Sequence, residues 1–185
     1  MEQRKTPKRG FKNKVLMLID FENLIINARK EIPSERFSIE AGFNRIIKKI
    51  TEEVGEIVGV FAFLPPDRAM VWGKDLKTRL SFPITIVNCP LSKDKDKEGK
   101  EDTTDSELIE LGGLLAKEMG ELTHICIGSG DRDFNDFRKK VALKGLKRIT
   151  VAADLKSLSS EAIKLTDTNP STGRKMVYLF SPTED

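Results

Sequence analysis

Two carboxylates, Asp131 and Asp133, stand one residue apart just after the apolar run Ile125-Cys126-Ile127 and the small residues Gly128-Ser129-Gly130. A third, Asp20, ends another apolar run, Val15-Leu16-Met17-Leu18-Ile19. Each run is followed by a helix-compatible segment, which reads as strand, tight turn, helix. In an open parallel sheet, ligands bind outside the carboxyl ends of the strands. Carboxylates gathered there repel one another unless something positive lies between them. The partner suited to clustered carboxylate oxygens is a hard divalent cation, Mg²⁺ or Mn²⁺. Such a cation polarises a phosphate and lowers the pKa of an attacking water, which is the chemistry of phosphodiester hydrolysis. Asp105, in the first turn of a predicted helix, is a fourth acid that can face the same place.

Other chemistries have less support. The chain has 185 residues and a single histidine, His124, which excludes His-rich metal sites and reads as structural. Its two cysteines, Cys89 and Cys126, lie far apart in apolar contexts without zinc-ligand spacing. Aromatic residues make up 6%, and Phe supplies ten of them, so a base-stacking platform is not the first expectation. Trp72 and Phe63 could stack a base, but core packing is the preferred reading for both. No apolar run approaches a membrane span and no signal peptide is apparent, so the expectation is a cytoplasmic protein with no membrane partner.

The net charge of +3 is mild, but its distribution is uneven. Residues 1–14 carry Arg4, Lys5, Lys8, Arg9, Lys12 and Lys14 against Glu2 alone. A basic arm of this kind holds nucleic acid through phosphate contacts, Lys8 and Arg9 among them, or is simply a solvated tail. The domain reading is a flexible basic arm over 1–13 and a single domain over 14–185.

The elements that must position the acids follow from periodicity. Val15–Ile19 is a continuous apolar run, as expected of a strand buried on both faces. Ser38 is a candidate N-cap for a helix carrying Ile39, Phe43, Ile46, Ile47 and Ile50 at helical spacing. Ile57–Leu64 is the second strand, stopped by Pro65-Pro66-Asp67, and Asp67 can cap a helix to about Leu80. Pro83–Cys89 is the third strand. Residues 90–102 read as a mobile charged loop. Thr103 or Thr104 caps a helix through about Glu118. Leu122–Gly128, Arg148–Ala153 and Met176–Phe180 are further strands, the last at the sheet edge. Phe134–Lys144 is a helix ended by Gly145, and a short helix is expected within 154–167. Strands alternating with helices predict an α/β fold: a three-layer αβα sandwich with a central, mostly parallel sheet of five to six strands. If the first and fourth strands are neighbours, Asp20, Asp131 and Asp133 meet at a topological switch point.

Asp20-x-x-Asn23 after the first strand, an acid opening a later helix, and Ser129-Gly130-Asp131-Arg132-Asp133-Phe134 after the fourth strand together resemble the NYN domain (LabA-like proteins are a branch) of the PIN-like nuclease superfamily. The resemblance covers roughly residues 14 to 153. It implies a PIN-like parallel sheet with an acidic pocket and a metal-dependent ribonuclease acting on single-stranded or structured RNA. It implies Asp20, Asp105, Asp131 and Asp133 as catalytic metal-binding acids for Mg²⁺ or Mn²⁺. Asn23 resembles the Asn that supports the pocket by hydrogen bonding to a carboxylate, a water or a phosphate, and counts with both the catalytic and the substrate-binding residues. Ser129 resembles the small hydroxyl residue that orients the acids, and Arg132, between the two acids, either contacts phosphate or screens them. A homodimer is compatible with the resemblance. Many relatives carry Lys-Gly-x-Asp leading into the middle helix, with a second Asp two turns on. Here the stretch is Lys100-Glu101-Asp102-Thr103-Thr104-Asp105, and Leu108 and Leu111 stand where that second acid would be. Asp102 and Asp105 both compete for the first position. Asp105 is preferred because Leu108, Ile109, Leu111 and Leu115 then form a buried face behind it. The alternative function is an RNA-binding or scaffold protein of the same fold that is catalytically weak or inactive.

The basic arm yields a prediction. A chain starting at Lys14 should bind RNA more weakly and with a shallower dependence on salt, because fewer counterions are released. Its turnover at saturating RNA should match that of the full chain, since uniform binding alters apparent affinity rather than the chemical step. Binding isotherms at several salt concentrations would settle the point. Equal slopes for the two chains reduce the arm to a solvated tail.

Overall fold

The computed structural model describes residues 13–33, 36–78, 80, 82–93 and 100–183. The basic arm, with Lys8 and Arg9, lies outside the described residues. The first strand, β1 (Lys14–Asp20), is buried at every residue but its first. Successive side chains of a strand point to opposite faces. Val15, Met17 and Ile19 accordingly join one hydrophobic core and Leu16 and Leu18 the other. A strand flanked by two cores is why this run is uninterrupted by polar residues.

The chain continues through α1 (Phe21–Glu31), α2 (Ile39–Glu53), β2 (Glu56–Leu64), α3 (Pro66–Thr78) and β3 (Thr85–Asn88). It then runs through β4 (Leu91–Lys93), β5 (Lys100–Asp102), α4 (Thr104–Glu118), β6 (His124–Gly128), a 3-10 turn (Arg132–Phe134) and α5 (Asn135–Leu143). β7 (Lys147–Ala152), α6 (Ser160–Leu165) and β8 (Val177–Leu179) complete it. The main sheet has six strands in the order β3-β2-β1-β6-β7-β8, and every pairing in it is parallel. Side chains of α1 and α2 fill one core, with Trp72 of α3 packed against it. Leu108 of α4 and Phe137 and Val141 of α5 fill the other. This is the three-layer α/β arrangement expected, with β8 at the edge. Among the described residues no helix is long and apolar enough to cross a membrane.

Local signals explain the boundaries. The Ser38 hydroxyl accepts from the Ala41 N–H at 3.2 Å, satisfying one of the first free donors of α2. Pro66 opens α3, where its missing N–H costs nothing. Gly145, at φ 78°, follows α5 in the left-handed conformation that glycine tolerates. Two expectations need correction. Residues 90–102 are not wholly a loop, because β4 and β5 pair antiparallel, Leu91 opposite Asp102. Residues 94–99 lie outside the described set. The helix expected from Phe134 starts one residue later, because Arg132–Phe134 forms a tighter 3-10 turn. The first connection, read as a helix or loop, is the helix α1.

The topology splits at β1 and β6. From β1 the chain steps outward through β2 and β3; from β6 it steps the other way through β7 and β8. Ile19 stands opposite Gly128 in this pairing. Asp20 and Ser129 therefore leave the sheet side by side at the switch point, where such folds bind ligands.

His124 lies at the opposite end of β6, remote from this edge, which fits a structural role. It is 3% exposed, and its Nδ1 lies 2.8 Å from Thr123 Oγ1. Burial, with Lys147 adding repulsion, pulls the imidazole down to about 4. The unfolded ring takes up its proton near pH 6.5. Between these values the unfolded state binds the extra proton, so stability is full above about pH 6.5 and declines toward pH 4. Denaturant melts at pH 7.5 and pH 5 should show this loss. His124→Gln, which keeps a polar contact for Thr123, should flatten the slope. An unchanged slope would remove His124 as its source.

Candidate active site

The site begins with the last residue of β1. Asp20 is 6% exposed, and its Oδ1 accepts from the Asn23 N–H at 3.2 Å, capping α1. The acid is thereby held by the strand on one side and the helix start on the other. Its negative charge meets the positive end of the α1 dipole. One turn along α1, Asn23 Oδ1 accepts from Asn27 Nδ2 at 3.0 Å.

A second acid enters from β6. The Asp131 N–H donates to Ser129 Oγ at 3.2 Å, and its Oδ1 accepts from the Asp133 N–H at 3.2 Å. Beneath this turn lies Arg138 of α5, wholly buried. Its Nη2 donates to the Ser129 carbonyl at 2.6 Å and its Nη1 to the Asp131 carbonyl at 3.1 Å. One guanidinium fork thus ties both ends of the Ser129-Gly130-Asp131 turn. Its Nε is buried without a hydrogen-bond partner among the described residues. Burial draws the guanidinium down to about 10, with Asp131 pulling the other way, so it stays charged at neutral pH. Gly130 is required by close approach. A Cβ there would collide with the backbone of Ser157 and Leu158, and the Ser159 N–H donates to the Gly130 carbonyl at 3.1 Å.

The third acid comes from α4, which lies in the same layer as α5 and across the sheet from α1. Thr104 opens α4 and is 3% exposed, and Asp105 follows it in the first turn. Asp20, Asp105 and Asp131 line one pocket of about 340 Å³. Thr104 lines it too, as do Glu22, Asn23, Ile26 and Asn27 of α1. Among the described residues, four acids and no Lys or Arg line this pocket. Glu22 is balanced from outside, since Arg68 Nε donates to its Oε1 at 3.0 Å.

The predicted residues divide. Asp20, Asn23, Asp105 and Asp131 come together. Asp133 does not line the pocket; its side chain is 63% exposed and lies 4.0 Å from Arg132. In a 3-10 turn successive side chains are about 120° apart, so the residue two beyond Asp131 points elsewhere. Ser129 is wholly buried, so it positions Asp131 rather than meeting substrate. Arg132 lines a neighbouring groove of about 280 Å³ with Asn23, Asn27, Asp131 and Lys156. The backbone of Asp102 ends β5, and its side chain lies outside the described set. Sequence reasoning missed Glu22, Thr104, Asn27, Lys156 and Arg138. Arg138 had a signal: it falls on the stripe Phe134, Phe137, Val141, where a buried residue is expected.

The donors fit a hard divalent cation in kind, since they are carboxylate, amide and hydroxyl oxygens. Among the described residues, however, no group of three or more His, Cys, Asp or Glu is gathered to hold a metal ion alone. Mg²⁺ commonly uses one or two carboxylates, retained waters and substrate phosphate, which an open acidic pocket allows.

The Arg138 fork yields a prediction. Arg138→Met leaves the Ser129 and Asp131 carbonyls without their donors and should destabilise by about 3 kcal/mol. Thermal melting should fall by about 6–12 °C. Arg138→Lys should recover little, because an ammonium cannot span both carbonyls as a planar fork does. Melting temperatures of the three proteins check this, and a lysine variant equal to the original would refute the fork.

The NYN domain model matches residues 14–169, beyond the stretch to 153 that the motifs cover. No curated protein matches the chain. Among solved structures, the chain is similar to a protein of unknown function from Vibrio parahaemolyticus. The two are 15% identical, the match covers 95% of each chain, and the TM-score is 0.63. That likeness bears on the fold alone. With the family model spanning most of its length, the chain belongs to the NYN domain family, a family of PIN-like nucleases.

Proposed function

We propose that this protein hydrolyses RNA phosphodiester bonds with Mg²⁺ or Mn²⁺ in the pocket that Asp20, Asp105 and Asp131 line, the ion taking one or two of these carboxylates together with waters and the substrate phosphate. The observation that carries this reading is the convergence of these three acids, from three separate stretches of chain, in one pocket at the switch point. The bound ion would polarise the phosphate and lower the pKa of an attacking water. The protein's own residues do the positioning. Asp20 and Asp131 sit on backbone fixed by β1, by β6 and by the Arg138 fork, so little entropy is lost in presenting them. The Asn23–Asn27 pair lies between the pocket and the groove and offers neutral amides to a phosphate oxygen. Arg132 and Lys156 supply positive charge where the strand leaves the acids. Their attraction acts on the backbone of any sequence and positions it without reading bases.

The second reading is an RNA-binding or scaffold protein with weak or no catalysis. It is favoured by the absence of a ready three-acid cluster among the described residues and by Leu108 and Leu111 in the middle motif. Labelled single-stranded RNA, incubated with and without Mn²⁺, separates the two. Cleavage should require the ion. Asp131→Asn and Asp105→Asn should each slow it by about 100-fold or more, the scale of losing one electrostatic contact to developing charge. Asp133→Asn and Asp102→Asn should be mild. Mn²⁺ should also raise the melting temperature by linkage, less so in Asp131→Asn. RNA binding with neither cleavage nor a metal-induced shift would select the second reading.

A further inference from the structure

Beside the acidic pocket lies a second hollow of about 200 Å³, between α1 and α3. Phe21 and Ile25, both nearly fully buried, give it an apolar base. Trp72 lines it from α3, and Arg29 and Arg68 supply positive charge. Glu22 and Ile26 line both this hollow and the acidic pocket, so the two adjoin. The Arg29 guanidinium stands over the Trp72 ring at 4.9 Å and over Phe37 at 5.2 Å. The indole is tilted 54° to the Phe21 ring, with centroids 6.4 Å apart.

We infer that this hollow is a base-binding subsite, taking one unpaired nucleobase of an RNA strand whose neighbouring phosphate lies in the acidic pocket. The inference rests on the proposed RNA substrate and adds where a base is held. Its chemistry matches a flat π-system joined to an anion. The Trp72 indole offers a stacking face above the apolar base of Phe21 and Ile25, and two arginines, Arg29 and the Glu22-paired Arg68, stand where a phosphate would follow. Stacking on an aromatic ring tolerates any base, because every base has a π-face. In the free protein the exposed Arg29 covers the indole. A base stacked on an aromatic side chain is held more firmly than an exposed cation over the same ring. The base therefore displaces the guanidinium, and Arg29 turns to a phosphate. Paired RNA cannot donate a base in this way, so the subsite selects single-stranded segments. Together with the Arg132–Lys156 groove on the far side, it gives the strand a path across the acids: base on one flank, backbone on the other.

Trp72 is the only tryptophan of the chain, so its fluorescence reports this subsite directly. The test uses the full protein in EDTA, with a fluorescently labelled oligoadenylate hexamer and an abasic ribose-phosphate strand of equal length. The hexamer should quench Trp72 and the abasic strand should not. By anisotropy, Trp72→Ala should weaken hexamer binding about tenfold and leave abasic binding unchanged. Trp72→Phe keeps a ring and should recover most of the loss, which guards against a folding defect in Trp72→Ala. Arg29→Ala, at an exposed side chain, removes a phosphate contact but also uncovers the indole, so it should weaken the abasic strand more than the hexamer. Quenching without metal-dependent cleavage would support the subsite and overturn the nuclease reading. Cleavage without quenching, or equal affinity of Trp72→Ala and the original for the hexamer, would overturn the subsite and leave the nuclease reading standing. No binding of either strand would overturn both.

Discussion

The parallel pairing of β1 with β6 is the constraint on which the rest depends. These strands are distant in sequence and adjacent in space, and the chain leaves them toward opposite edges of the sheet. No helix can cover the gap between the two connections at their carboxyl ends, so a crevice is a geometric consequence. The pair is also the seam of both cores. Met17 and Cys126, opposite one another, point to one core, and Leu18 and Ile127 to the other. A one-residue slip would turn each set to the wrong face. The same slip would move Asp20 away from the Ser129 turn. Core packing and site geometry are therefore held by one register.

Charge is arranged around that crevice in a definite order. The acids lie on the pocket side of two helix starts, α1 and α4, whose dipoles favour negative charge. The balancing cations lie elsewhere: Arg138 beneath the turn, Arg68 beside Glu22, and Arg132 and Lys156 along the next groove. Arg138 is expensive to bury, and the cost is offset by two backbone carbonyls and the nearby Asp131. A neutral side chain of similar size would fill the space but leave the turn untied. The position is thus explained by geometry as much as by charge.

Much of this was legible in the sequence where one signal had one physical cause. The doubly buried β1 needs a continuous apolar run, and Val15–Ile19 has one. Ser38 and Gly145 cap helices because their chemistry suits helix ends. The meeting of the acids was conditional on the first and fourth long strands being neighbours, as in many doubly wound sheets, and β1 does pair with β6. What was not legible depends on direction rather than composition. Asp133 and Asp131 look alike in the sequence, yet a 3-10 turn sends them to different surroundings. The β4–β5 pair is held by main-chain hydrogen bonds, which the residue types of Leu91–Lys93 and Lys100–Asp102 neither favour nor forbid. Trp72 sits at a helical apolar position and does pack against the core, as expected. That it also lines a hollow beside the acids depends on where α1 passes it, and periodicity carries no such information.

Asp20 brings the structural and chemical roles of an acid together. Its carboxylate caps α1, as Asp does at many strand-to-helix turns. An Asn would cap nearly as well, so the cap alone does not call for a charge. Placing that charge beside Asp105 and Asp131 costs stability through repulsion that the helix dipoles only partly offset. Local propensity and global stability would both be served by neutral caps at Asp20 and Asp131. A fold that keeps like charges together at its switch point, against that preference, departs from the consistency expected of a purely structural turn. Such departures are expected at functional sites rather than at purely structural turns. The acids can serve as caps and as ligands at once because capping uses a side-chain oxygen and leaves other lone pairs to accept.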